Sequence, residues 1–292
     1  MGAWQVSIID HIDGKAFERI ETVPCLLCGR SHPSRVIRAR FGMTAMVAEC
    51  IDCRLAYQTP RPSQEACIAY MDWRWSSAGG YVTDNAQKRD VACSQMAIVS
   101  ALHPSRGHLL DFGAGSGTFV KAALDAGWQA AGVEHSPVAV QKASDYYGVN
   151  LSMDIPDGSF DVITLWDVVE HLKDPLPLLA RLNGCLNPGG TLIVETGNYE
   201  SWMRIAQGDQ WGLYLLDHHY YFSPASLEET LRRAGFADFQ LLPAKSIRPR
   251  WRGLLRRPLK AVRSWRIWKE ARRTWPDHAG MHEMIAAAKR PS

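Results

Sequence analysis

The 292-residue chain lacks the long hydrophobic run of a membrane-spanning helix, because no segment approaches about 18 uninterrupted apolar residues. It lacks a large charge excess: the formal net charge is +3, so nothing global points to a polyanionic partner. Its first residues, MGAWQVSIIDHIDG, have no basic stretch leading into an apolar one, and Val6 stands where N-myristoylation needs Ser or Thr. There is no internal repeat. Cysteine is present, but not as a disulfide framework. Of seven cysteines, four form two CxxC pairs, which favours metal binding and a reducing compartment. These features together lead us to expect a cytoplasmic protein. A composition of 46% hydrophobic and 22% charged residues argues against disorder and allows one large domain plus a smaller one.

The pairs are Cys25/Cys28 and Cys50/Cys53, with 21 residues between them. Two such knuckles can arrange four thiolates tetrahedrally around Zn2+, and four sulfurs leave no open position, so the metal is expected to be structural. A module of this size needs the folding energy that the metal supplies. Short alternating strands flank the second pair, and TPRPS ends the unit. Cys67, Cys93 and Cys185 read as small apolar fillers.

Three units are expected: a four-cysteine zinc-binding module at 20–62, a helical linker or cap at 63–104, and an α/β domain at 105–292. The cap carries helices at 63–71 and 83–102, separated by the loop WRWSSAGGY. The α/β domain alternates strands at 109–112, 130–134, 160–166 and 191–196 with helices at 117–126, after Ser136-Pro137, and at 175–186. That spacing implies a parallel, doubly wound sheet. A helix capped by Ser223-Pro224 and stopped at Gly235 follows, then strands at 238–242 and 282–289.

The stretch LLDFGAGSGTF, Leu109 to Phe119, is a strand, an acid and a glycine loop. Glycines at 113, 115 and 117 allow a tight turn and a ligand lying on the main chain. The dinucleotide fingerprint needs a third glycine where Thr118 stands. Asp111 weighs more: its carboxylate would repel a pyrophosphate in a partly buried site and attract a cationic ligand such as the sulfonium of S-adenosylmethionine. Glu134, about 20 residues on, is placed to accept hydrogen bonds from a ribose diol.

With these pieces the chain resembles the class I S-adenosylmethionine-dependent methyltransferases. LLDFGAGSG, GVEHS, MDIPDGSFDVITLWDVVEHLKDP, LNPGGTLIVET and HHYYFSPASLEETLRRAGF occur in the matching order over roughly 105–245. The resemblance implies a Rossmann-like, seven-stranded domain behind the small N-terminal zinc-binding module. It implies that Asp111, Gly113, Gly115 and Gly117 surround the methionine portion and that Glu134, beside His135, holds the ribose. It puts the usual acid near the adenine at Asp154, and Trp166 and Asp167 in the cleft. The [ND]PP[YF] motif of many amide and adenine N-methylases is absent. Knuckles followed by LAYQTPRP and this core resemble a bacterial subgroup that acts on sugars or other small metabolites.

A histidine can take the proton that an O- or C-methyl acceptor loses. The candidates are His171, after the fourth strand, and His219, in the connection over the cleft. Methyl transfer also proceeds by positioning alone. Between Arg248 and Arg273 stand eleven Lys and Arg and one acid, Glu270, interleaved with Trp and Leu. This segment, expected as a basic helical insertion at about 248–276, suits an anionic membrane surface at the inner face, packing on its own domain, or RNA as the weaker alternative. The expected activity is methyl transfer to a small-molecule acceptor, a sugar, lipid-linked sugar or secondary metabolite. An RNA methyltransferase and a non-catalytic binding module of the same fold are the alternatives.

Overall fold

A computed structural model describes residues 20–31, 33–38, 46–75, 86–242 and 283–292. The basic segment expected at 248–276 lies outside the described residues, as do 83–85 of the second cap helix. No helix among the described residues is long and apolar enough to cross a membrane.

The chain first forms β1 (Ile20–Glu21), β2 (Pro33–Arg38), β3 (Met46–Cys50), β4 (Ala56–Gln58) and β5 (Arg61–Pro62), then α1 (Gln64–Trp75) and α2 (Ala86–Leu102). Helix α1 runs four residues beyond the expected end at 71. The α/β domain follows: β6 (His108–Phe112), α3 (Thr118–Asp125), β7 (Gln129–Val133), α4 (Pro137–Tyr147), β8 (Phe160–Trp166), α5 (Pro175–Cys185), β9 (Leu186–Gly197), α6 (Trp202–Gln207), β10 (Tyr220–Tyr221), α7 (Pro224–Arg233), β11 (Ala237–Leu242) and β12 (Glu283–Lys289).

The main sheet has the order β11-β12-β9-β8-β6-β7. Strands β7, β6, β8 and β9 are parallel, and β12 runs antiparallel to both its neighbours. Helices cover both faces, so the central strands are apolar on both sides: Leu109, Leu110, Val162, Ile163 and Leu165 are fully buried. A seventh strand beyond β7 is reduced to one parallel bridge, Val133 to Ser152. The following IPDGS turns the chain away before a ladder can grow, Pro156 because it has no N–H to donate and Gly158 because it adopts φ +129°.

Local chemistry sets the helix ends. Ser136 caps α4 by accepting from Ala139 N–H, with Pro137 in the first turn and Gly148 closing it at φ 65°. Ser223 and Ser226 form a capping box at the start of α7.

The N-terminal sheet has the order β10-β4-β3-β2, so its edge strand comes from the α/β domain. Tyr220 pairs with Tyr57 and Tyr221 with Ala56. An aromatic cluster of Tyr199, Trp211, Tyr214 and Tyr221 packs on Val47 and Ala56 behind this seam. The knuckle unit is therefore continuous with the α/β domain in both hydrogen bonding and core.

Gly132 gives a direct test of the packing at the end of β7. A Cβ there would meet Leu151 Cδ2 at 2.5 Å, Val120 Cγ2 at 2.8 Å and Ala114 Cβ at 3.0 Å. Gly132→Ala should lower unfolding stability by roughly 1–3 kcal/mol in urea melts. Wild-type stability in that variant would contradict the packing.

Candidate active site

The site grows from the end of β6. Gly113 and Ala114 N–H groups both donate to the Val133 carbonyl at 2.9 Å, which folds the loop against β7. Gly113 has φ 79°, and a Cβ there would lie 2.5 Å from Val168 Cγ2, so only glycine fits.

The Glu134 carboxylate fixes the loop. Oε2 accepts from Gly115 N–H at 2.9 Å and Oε1 from Ser136 N–H at 2.8 Å. Each oxygen keeps acceptor capacity for a hydroxyl. Behind the loop, Asp111 is buried and its Oδ1 accepts from Thr164 Oγ1 at 2.8 Å. Burial pushes the Asp111 carboxyl up from 3.8 to about 7, against the Thr164 hydrogen bond and with help from the Glu134 charge.

In front of the loop lies a cleft of about 470 Å³. Phe112, Gly113 and Gly115 line it on one side, with Glu134, His135 and Ser136 beside them. Trp166, Asp167, Val168 and His171 line it from the end of β8. Gln64, Cys67, Ile68 and Met71 close it from α1. Asp167 holds φ 54°, a left-handed conformation that costs energy in a non-glycine residue and concentrates at ligand sites. Trp166 stacks edge-on to Phe119 at 5.1 Å, and its buried Nε1 has no hydrogen-bond partner among the described residues.

The structure thus brings Gly113, Gly115, Glu134, His135, Trp166, Asp167, His171 and His219 to one cleft. Three expected cofactor residues are placed elsewhere. Gly117 packs at the head of α3, where a Cβ would meet Ala143 Cβ at 2.9 Å. Asp111 supports the loop from behind. Asp154 is exposed in a turn stapled by Ser152, whose hydroxyl donates to the Asp154 carbonyl at 2.6 Å, and it does not line the cleft.

The two histidines differ sharply. His219 is buried, with Nδ1 3.4 Å from Gln58 Oε1 and Nε2 3.8 Å from Cys67 Sγ. Burial, followed by the nearby Arg61 and Lys173 cations, pushes it down to about 3, so it stays neutral. His171 is partly exposed to the cleft, and its Nδ1 donates to the Asp217 carbonyl at 2.8 Å. A carbonyl only accepts, so Nδ1 carries a proton. Gln58, Cys67 and Lys173 were not read as site residues in the sequence. Gln58 and Cys67 reach the cleft region through the β4–β10 seam and the packing of α1, and Lys173 lines the cleft from the loop after β8.

The four knuckle cysteines converge, with Cys25 Sγ 3.3 Å from Cys53 Sγ and Cys28 Sγ 3.3 Å from Cys50 Sγ. Both knuckles end in a left-handed residue, Gly29 at φ 71° and Arg54 at φ 62°, whose N–H returns to the first cysteine's carbonyl.

A family model described as a methyltransferase domain matches residues 85–241, more than half of the chain. The chain belongs to the methyltransferase domain family. The ubiquinone biosynthesis O-methyltransferase of Xanthomonas axonopodis pv. citri (strain 306) is 29% identical over 161 residues, 48% of this chain and 67% of that one. Its counterpart in Xanthomonas campestris pv. campestris (strain B100) is 29% identical over 180 residues, 55% of this chain and 74% of that one. The fold matches a SAM-dependent methyltransferase from Archaeoglobus fulgidus with a TM-score of 0.52 at 17% identity, covering 69% of this chain and 94% of that one. The methyltransferase is therefore S-adenosylmethionine-dependent, with a mixed α/β, Rossmann-like domain. The expected fold and donor both stand.

The donor pocket predicts a pH dependence. Because the Asp111 pKa is raised from 3.8 to about 7, its contribution to stability without ligand is greatest below the lower value and is lost as pH rises through the upper one. A sulfonium favours the ionised carboxyl. The thermal stabilisation by S-adenosylmethionine should grow between about pH 6 and about pH 8, and Asp111→Asn should flatten that growth. A flat wild-type profile in calorimetric melts would contradict the role given to Asp111.

Proposed function

We propose that this methyltransferase transfers the methyl group to an oxygen of a hydroxylated small molecule, of the sugar or secondary-metabolite class. The observation that carries this reading is the cleft itself. Its volume of about 470 Å³ suits a small ligand, and α1 closes it from the side facing the donor loop. The O-methyltransferase names of the relatives support oxygen as the acceptor atom.

The residues present fit the donor. Gly113 and Gly115 leave a bare main-chain surface, Glu134 offers lone pairs to a diol, and Asp167 and Trp166 flank the same wall. When bound, S-adenosylmethionine supplies an electrophilic methyl on a positively charged sulfur. The protein's own task is to hold an acceptor oxygen in line with that carbon and to accommodate the proton it loses. His171, which lines the cleft, is the side chain assigned to the acceptor end. Neutral His219, braced by Gln58 and Cys67, serves as a positioning residue.

The four knuckle cysteines would hold a structural Zn2+, since four thiolates fill a tetrahedral shell. All four sulfurs lie within 4.8 Å of one another. The seven free thiols suit a reducing cytoplasm. Peripheral membrane contact through 248–276 rests on the sequence of that segment.

Methyl transfer to hydroxylated sugars and phenols, followed by label from S-adenosylmethionine, should be measurable. His171→Ala should lower kcat on the order of 10²-fold and leave donor affinity within a few-fold. Transfer confined to RNA, or an unchanged kcat in the variant, would overturn the reading. One equivalent of zinc should disappear in Cys25→Ser by elemental analysis, with a lower melting temperature. Retention of all bound zinc would contradict the knuckle assignment.

A further inference from the structure

Beneath the acceptor end lies a second cluster of metal-ligating groups. Glu170 and His171 form the short turn after β8, and His218 stands next to His219 in the returning segment. One ligand atom from each of Glu170, His171 and His218 lies within 4.8 Å of the other two. The backbone holds the two segments together, because His219 N–H donates to the Glu170 carbonyl at 2.8 Å. The two imidazoles meet edge-on, with centroids 4.7 Å apart.

A second, independent observation points to a ligand. Glu170 is 2% exposed; the Thr196 side chain lies beside its carboxyl, and Oε2 makes no hydrogen bond of ordinary geometry among the described residues. A buried carboxylate oxygen left in this way is costly unless a cation or a strong donor faces it. The outer shell is also in place. His171 Nδ1 donates to the Asp217 carbonyl at 2.8 Å and lies 3.3 Å from Asp217 Oδ2. Such a partner fixes the tautomer and raises the basicity of the other nitrogen, as it does for metal-bound histidines.

We propose that Glu170, His171 and His218 hold a divalent cation at the acceptor end of the cleft. The donor set, one carboxylate and two imidazoles, suits Zn2+, Mn2+ or Fe2+ and leaves coordination positions open. His171 lines the cleft, so an open position is reachable by the acceptor. A hydroxyl bound there becomes more acidic and gives its proton to solvent without needing a strong protein base. The proposal rests on the methyl-transfer reading for its purpose, but not for its test.

The full zinc-loaded chain is titrated with Mn2+ alone, with free Mn2+ read from its electron paramagnetic resonance signal. Zinc is counted in parallel by elemental analysis. The expected result is one saturable Mn2+ per chain, weakened at least ten-fold by Glu170→Gln and by His218→Gln and retained in Cys25→Ser. Glu170→Gln should melt no lower than wild type when metal-free, because it removes a buried charge and keeps the shape. If Glu170→Gln does not fold, His218→Gln decides. No saturable Mn2+ and no zinc beyond the cysteine-dependent equivalent would overturn the site, as would uptake that both variants leave unchanged. Donor binding, followed by calorimetry on the same samples, separates the two ideas. Loss of metal with donor binding intact removes only the cation. Absent donor binding removes the methyl-transfer reading whatever the metal does.

Discussion

The Glu134 carboxylate at the tip of β7 constrains everything in front of the sheet. Its two oxygens take one N–H from the glycine loop and one from the start of α4. The first bond crosses from one βα unit to the next, and the second closes the turn from β7 into α4. They place a negative charge where a phosphate-binding loop would present only N–H groups. Together with the buried Asp111 behind it, the loop repels a pyrophosphate and welcomes a cation. The choice of donor follows from this electrostatic fact more than from the number of glycines.

The acceptor end depends on a different connection. Two residues of β10 join the sheet of the knuckle unit, and from that seam Gln58 N–H reaches the His219 carbonyl at 2.8 Å. The segment that carries His218 and His219 is therefore pinned between the cysteine-rich unit and the turn at Glu170. Ion pairs extend the same linkage, since Glu21 accepts from both Arg61 and Lys173 at 2.7 Å. A unit that looks like an appendage in the sequence thus borders the cleft.

Local signals carried much of the fold. The βα alternation, the caps at Ser136 and Ser223, and the glycine stop at 235 are short-range chemistry, and each appears where its residues predict. The loop and Glu134 were legible because strand, turn and acid lie within one βα unit. Four features were not legible. A two-residue strand such as β10 has no periodicity, so its pairing with β4 is a tertiary event. Gln58 and Cys67 meet His219 across more than 150 residues of chain. Gly117, read as part of the ligand loop, packs at the head of α3, and Asp154, which the family resemblance puts near the adenine, sits in an exposed turn. Glu170 lies within the VVEHL stretch, and nothing in a linear sequence shows that its carboxyl is buried.

The central claim is that the glycine loop, held by Glu134, is built for a cationic, phosphate-free nucleoside. Isothermal titration of the wild-type chain and of Glu134→Ala with S-adenosylmethionine and with NAD tests it most directly. The account predicts one-to-one binding of S-adenosylmethionine to wild type, its loss in the variant and no binding of NAD to either. Binding of NAD to wild type, or undiminished S-adenosylmethionine binding in Glu134→Ala, would contradict it.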